Sequence, residues 1–166
     1  GLVRDIPDYP SPGILFKDIT PVLADADAFA AVVDALVDQH APRTIDKVVG
    51  IEARGFILAA PVAYHLNAGF VPMRKKGKLP FDTFESSYDL EYGTATIQVH
   101  RDAFAPGDRV LVVDDVLATG GTAAAALDLI SQSDATVVGC SFLIELSALA
   151  GRAKLPEADV RMLFVV

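Results

Sequence analysis

The chain has 166 residues, 52% of them hydrophobic, with 22 Asp and Glu against 14 Lys and Arg and a formal net charge of −8. That length supplies one domain with a full core, the acidic balance disfavours general binding to a nucleic-acid backbone, and the apolar runs are too short and interrupted to cross a bilayer as a helix. The first residues, Gly1-Leu-Val-Arg-Asp5, lack the basic and apolar regions of a secretion signal and read as the tail of a helix, which implies a preceding segment. Cys140 is the only cysteine, so no internal disulfide is possible, which suits the cytoplasm.

The opening from Asp5 to Leu23 carries Pro7, Pro10, Pro12, Gly13 and Pro21 and reads as irregular chain lying over something else. A helix follows from Asp25 to His40, with Phe29, Val32, Val33, Leu36 and Val37 on one face and Asp25 or Asp27 as its N-cap. Lys47 to Ile51 is a short strand, Glu52-Ala-Arg-Gly55 a turn, and Phe56 to Leu66 a helix that Pro61 costs a hydrogen bond. The turn is a place to hold an anion at a helix N-terminus, with Arg54 adding a planar donor fork. Phe70 to Met73 is a strand.

From Arg74 to Gly93 no period is clear, and so long a loop in a compact domain suggests a lid. It opens with Arg74-Lys-Lys-Gly-Lys78, four cations within five positions of an acidic protein, which suits one small polyanion. Thr94 to Val99 alternates polar and apolar as a half-exposed strand does. Arg109 to Asp114 and Thr136 to Leu143 are buried strands around a helix from Thr122 to about Ser133, and Val160 to Val166 is a last strand. Strands alternating with helices predict an α/β fold, a mainly parallel twisted sheet flanked by helices, in a single domain.

The most informative run is Val110-Leu-Val-Val-Asp114-Asp115-Val-Leu-Ala118-Thr119-Gly120-Gly121-Thr122. Four apolar residues without alternation fit a strand covered on both faces. Asp114 and Asp115 then stand at its C-terminal end, where open α/β sheets bind ligands. The small-residue turn Ala118 to Thr122 can close backbone N–H groups and two hydroxyls around a phosphate at the next helix N-terminus. Carboxylates for ribose hydroxyls beside amides for a phosphate suit a sugar phosphate. A P-loop is excluded, because Gly-Gly-Thr lacks the required Gly and Lys. His40, His65 and His100 have no metal-ligand spacing, and Cys140 reads as an inert core residue.

This run resembles the 5-phosphoribosyl-1-pyrophosphate (PRPP) signature of the type I phosphoribosyltransferases. Further segments, in order through nearly all the chain, resemble the adenine-specific members of that family: Asp8-Tyr-Pro-Ser-Pro-Gly-Ile-Leu-Phe-Lys-Asp18, Glu52-Ala-Arg-Gly-Phe56, Arg74-Lys-Lys-Gly-Lys-Leu-Pro80, Tyr88-Asp-Leu-Glu-Tyr-Gly93 and Leu143-Ile-Glu-Leu146. The resemblance implies the type I fold, with a small N-terminal hood over residues 1–24 and a flexible lid over residues 74–93. It implies a purine-salvage transferase that converts adenine and PRPP to AMP and pyrophosphate with Mg²⁺ bound to the pyrophosphate and ribose hydroxyls, with no direct protein ligand.

Carried over residue by residue, Ala118, Thr119, Gly120, Gly121 and Thr122 hold the 5-phosphate. Glu52, Ala53, Arg54, Arg74 and Lys78 meet pyrophosphate, with a cis peptide often found in relatives at the position of Glu52–Ala53. Leu15, Phe16, Lys17 and Leu146 contact adenine, the first and third through backbone groups. Asp114 and Asp115 orient the ribose, Glu91 exchanges a proton with the base, and Tyr92 belongs to the lid. The cations equivalent to Arg74 and Lys78 act partly across subunits, which implies a homodimer. Lys17 stands where many relatives have Arg. Ala118 stands where 6-oxopurine enzymes carry Asp, which argues against hypoxanthine and guanine. A transferase for another base such as xanthine, and a PRPP-sensing regulator that binds without turnover, are the alternatives.

Overall fold

The computed structural model describes residues 1–90 and 93–166. In chain order the elements are β1 (Arg4–Pro7), β2 (Leu15–Asp18), α1 (Thr20–Ala24), α2 (Ala26–Asp38), β3 (Lys47–Ile51), α3 (Arg54–His65), β4 (Gly69–Lys75), β5 (Thr83–Asp89), β6 (Thr94–His100), β7 (Arg109–Leu117), α4 (Gly121–Ser131), β8 (Thr136–Glu145) and β9 (Val160–Val165), with two short 3₁₀ turns, Ser147–Leu149 and Gly151–Lys154, before the last strand. The main sheet runs β5-β6-β4-β3-β7-β8-β9. Its pairings from β4 through β3, β7 and β8 to β9 are parallel, and those of β6 with β4 and β5 are antiparallel.

The apolar run of β7 has a direct structural reason. Leu111 and Val113 pack into a core with Val33 and Leu36 of α2 and Leu58 and Val62 of α3. Val110 and Val112 point the other way, into a core with Ala126, Leu129 and Ile130 of α4. A strand with both faces covered cannot afford a polar alternate position. Asp25 caps α2 as expected, its carboxylate accepting from the Ala28 N–H at 2.9 Å. Pro61 lies inside α3 and does not end it. The Glu52–Ala53 peptide is cis.

Two readings of irregular chain are corrected. The Pro-rich opening contains a two-stranded antiparallel ribbon, β1 with β2, followed by the short α1. The stretch 74–93 is not one loop: Arg74 and Lys75 end β4, and Thr83 to Asp89 is a strand paired along its length with β6. Its period escaped notice because the inward positions are Phe84, Ser86 and Tyr88, and the polar Ser86 breaks the apolar series. Glu91 and Tyr92 lie outside the described residues.

Candidate active site

The C-terminal ends of β3 and β7 and the hood strand β2 converge on one cavity of about 340 Å³. Leu15, Phe16, Lys17 and Leu146 line it together with Glu52, Ala53, Arg54, Asp114, Asp115, Ala118 and Thr122. The residues expected to meet a base, a ribose and a pyrophosphate are thus brought together by four separate segments. A smaller adjoining cavity of about 70 Å³ is lined by Asp114, Ala118, Thr119, Gly120 and Thr122. It is the size of one small anion, at the N-terminus of α4.

The backbone there needs its glycines. Gly120 is the residue before α4 and has φ +78°, a left-handed conformation that L side chains resist. At the first turn of α3, a Cβ on Gly55 would come within 2.6 Å of Asp114 Oδ1, so only glycine lets that turn reach the acid pair.

Asp115 is 5% exposed, and its Oδ2 lies 2.7 Å from Arg54 Nε without hydrogen-bond alignment. That oxygen has no hydrogen-bond partner among the described residues. A buried acceptor left so is costly, and Asp115 itself lines the cavity. Asp114 Oδ1 accepts from the Asp115 N–H at 2.9 Å. Burial pushes both carboxyls above the usual range; the neighbouring Asp115 charge raises Asp114 further, while Arg54 pulls Asp115 back.

Glu52 gathers the expected pyrophosphate cations. Arg74 Nε lies 3.3 Å from its Oε2 and Lys78 Nζ 3.5 Å from its Oε1, and the Lys75 N–H donates to Oε2 at 2.9 Å. Burial alone would raise this carboxyl, but the Lys75 and Arg74 hydrogen bonds and the two cationic charges outweigh it and hold the group low. Arg74 and Lys78 stand beyond the lining of the main cavity, at Glu52 of their own chain.

On the base side, the Arg54 guanidinium sits over the Phe16 ring, 5.0 Å from its centroid. Lys17 Nζ turns to Asp5 Oδ1 at 2.7 Å, so its charge is spent on the hood ribbon. Strand β2 pairs with β1 alone among the described residues, so its other edge has no strand partner there. Sequence reasoning missed Tyr88, which lines the cavity and whose Cδ2 would be 3.1 Å from a Cβ on Gly121. Its inward place on β5 was the available signal. It also missed Ile14, Ile51 and Val116, apolar lining to which it gave no role although Ile14 and Val116 lie within the quoted motifs.

Among the described residues, no group of three or more His, Cys, Asp or Glu could hold a metal. No helix there is long and apolar enough to cross a membrane. His40 has a role the sequence did not show. It is fully buried, with Nε2 2.6 Å from Ser141 Oγ, and burial, aided by the Arg161 and Arg43 charges, lowers its pKa to about 4. Cys140 is buried, and burial pushes its thiol up to about 12.

The model of the phosphoribosyl transferase domain matches residues 17–165. An adenine phosphoribosyltransferase of Acidothermus cellulolyticus is 76% identical over 99% of this chain and 93% of its own length. A crystal structure of the adenine phosphoribosyltransferase of Rhodothermus marinus superposes with a TM-score of 0.95 at 54% identity, covering 99% of this chain and 94% of that one. The Saccharomyces cerevisiae enzyme, complexed with an imino-altritol bisphosphate and adenine, superposes with a TM-score of 0.91 at 40% identity, covering 96% and 92%. Fold, site and these likenesses agree: the chain belongs to the phosphoribosyltransferase family, within its adenine phosphoribosyltransferases.

Proposed function

We propose that the chain transfers the 5-phosphoribosyl group of PRPP to adenine, giving AMP and pyrophosphate, and that the residues named above carry the chemistry. The observation that carries this reading is one cavity lined by Phe16 and Leu146 together with Asp114 and Asp115, with the phosphate turn adjoining. Adenine lies between Phe16 and Leu146, its edge read by backbone groups of Leu15 and Lys17. Asp114 and Asp115 accept from the ribose hydroxyls, and residues 118–122 anchor the 5-phosphate, so that remote binding energy positions the reacting carbon.

The anomeric C–O bond to pyrophosphate breaks ahead of attack by adenine N9, leaving an oxocarbenium-like sugar. The acid pair lends negative charge beside that cation. Glu52 and Ala53 shape the turn facing the departing pyrophosphate, and Arg54, Arg74 and Lys78 offset its charge. N9 forms the new bond to the anomeric carbon, and Glu91 takes the proton that the base gives up at N7. Tyr92, assigned to the lid, helps to exclude water.

The acid pair suits Mg²⁺, which binds through one or two carboxylates plus substrate oxygens and not in an all-protein cage; here Asp114 and Asp115 would hold it through the ribose hydroxyls. Bound on substrate, the ion neutralises charge on the leaving group.

On the same reading the chain works as a homodimer in the cytoplasm. The outward side of α3 supports a second copy: Ile57 is 43% exposed and Tyr64 83%. A fully active monomer in analytical ultracentrifugation would overturn the dimer. A buried free thiol fits a reducing compartment.

The test of function offers PRPP and Mg²⁺ with adenine, hypoxanthine, guanine, xanthine or orotate, and follows nucleotide formation. AMP from adenine alone is the expected result. Turnover with another base would discard the substrate assignment, and PRPP binding without turnover would favour a sensor.

A further inference from the structure

The phosphate turn is not self-supporting. The chain after β8 folds back against it, backbone to backbone, at a residue that no motif marked. Gly151, the first residue of the second 3₁₀ turn, is buried against Ala118 and Gly120. A Cβ placed on Gly151 would overlap the Ala118 carbonyl oxygen and lie 2.9 Å from Gly120 N. From the other side, a Cβ on Gly120 would overlap Gly151 O and lie 3.0 Å from Gly151 C. The atoms in the way are backbone, with no rotamer to yield.

The strap is held at both ends. Leu146 donates its N–H to Leu117 O at 2.9 Å, tying the strap's start to the residue before the phosphate turn. Past Gly151, Arg152 reaches back with Nη2 3.0 Å from Glu145 Oε2 and Nη1 3.1 Å from Val160 O. Glu145 is 8% exposed and immediately precedes Leu146, the residue on the base side of the cavity. One short segment thus spans from the base wall to the phosphate turn.

We propose that Gly151 is a positioning residue for the phosphate turn: its bare backbone sets where the Ala118 carbonyl and the Gly120 amide stand, and so the affinity for a 5-phosphate. Arg152 is the clamp that keeps it there. The inference rests on the assignment of residues 118–122 to that phosphate.

The test measures ribose 5-phosphate and pyrophosphate binding by titration calorimetry, together with KM for PRPP and for adenine, in Gly151→Ala, Arg152→Lys and Thr122→Val. Gly151→Ala is expected to weaken ribose 5-phosphate and raise KM for PRPP about ten- to a hundredfold, because a displacement of about 1 Å suffices for that. Pyrophosphate affinity and KM for adenine should stay within about threefold, since those contacts lie elsewhere. A general loss of structure would move all of these together, which overturns a positioning role.

Should Gly151→Ala fail to fold, Arg152→Lys decides, because it loosens the strap without adding bulk. Selective weakening of ribose 5-phosphate supports the proposal, and unchanged affinity overturns it. Thr122→Val separates this proposal from the one beneath it. If it leaves ribose 5-phosphate binding untouched, the turn is not the phosphate site and the proposal falls with it. If it weakens binding while Gly151→Ala does not, the strap alone is refuted.

Discussion

Arg54 stands between two parts of the site: its Nε is 2.7 Å from Asp115 Oδ2 while its guanidinium covers the Phe16 ring. The cation assigned to pyrophosphate thus compensates the buried acid and occupies the face assigned to the base. The ion pair lacks hydrogen-bond alignment, so Arg54 is held by charge and not by a directional bond. Arg54→Leu is expected to lower kcat/KM for PRPP by about 10²–10³, the range for removing a group aimed at developing charge. Steady-state kinetics with PRPP varied at saturating adenine checks this, and a change below about threefold would remove Arg54 from the site.

Asp114 sets function against stability. Burial and the adjacent Asp115 raise its carboxyl pKa in the folded state. The fold therefore holds that proton more tightly than the unfolded chain does, and the ionised form opposes folding as pH rises. Asp114→Asn keeps an oxygen to accept from the Asp115 N–H and removes the charge. It is expected to raise Tm by about 2–4 °C near neutral pH, as about 1 kcal/mol does in a domain of this size, while lowering kcat/KM at least about tenfold. Thermal melts from about pH 4 upward should show the gain over wild type growing with pH until the folded carboxyl is ionised, and flat beyond. A gain that shrinks with rising pH would contradict the cause.

The β7 signature and the β3 turn were legible because both put chemistry where backbone geometry demands it: acids or Arg at a strand end, small residues at a helix start. The hood was legible as a recognition segment but not as a ribbon, since four-residue strands among prolines show too little period. Strand β5 was hidden by Ser86 on its inner face. Gly151 and His40 were out of reach for a different reason. Each matters through a partner far along the chain, Ala118 and Ser141, and no local pattern announces such a contact.

Glu91 carries the proton-transfer step in the proposed mechanism. Glu91→Leu should reduce kcat by about 10²–10⁴, the usual range for general acid–base catalysis, with little change in PRPP binding. Glu91→Gln should be nearly as slow, since it keeps the shape and loses the base. A near-normal rate in either variant, measured by AMP formation, would sink the assignment.

His40 gives the fold an acid limit independent of catalysis. Arg161, Arg43 and Asp159 surround it, Ser141 Oγ meets its Nε2, and its Nδ1 is buried without a hydrogen-bond partner among the described residues. Gly139 leaves it no slack, because a Cβ there would come within 2.8 Å of its Cε1. With a folded pKa of about 4 against 6.5 for the free side chain, the unfolded chain binds more protons between those values. Stability is therefore full above pH 6.5 and falls as pH drops towards 4, by up to about 3 kcal/mol from this group at about 1.4 kcal/mol per unit. Paired carboxylates such as Asp46, held at about 2 by its Arg109 hydrogen bonds, add their loss only at lower pH. Urea unfolding of wild type and His40→Gln at pH 7, 6, 5 and 4.5 isolates the histidine. The wild-type curve should fall more steeply than the variant's, and parallel curves would show that His40 does not set the limit.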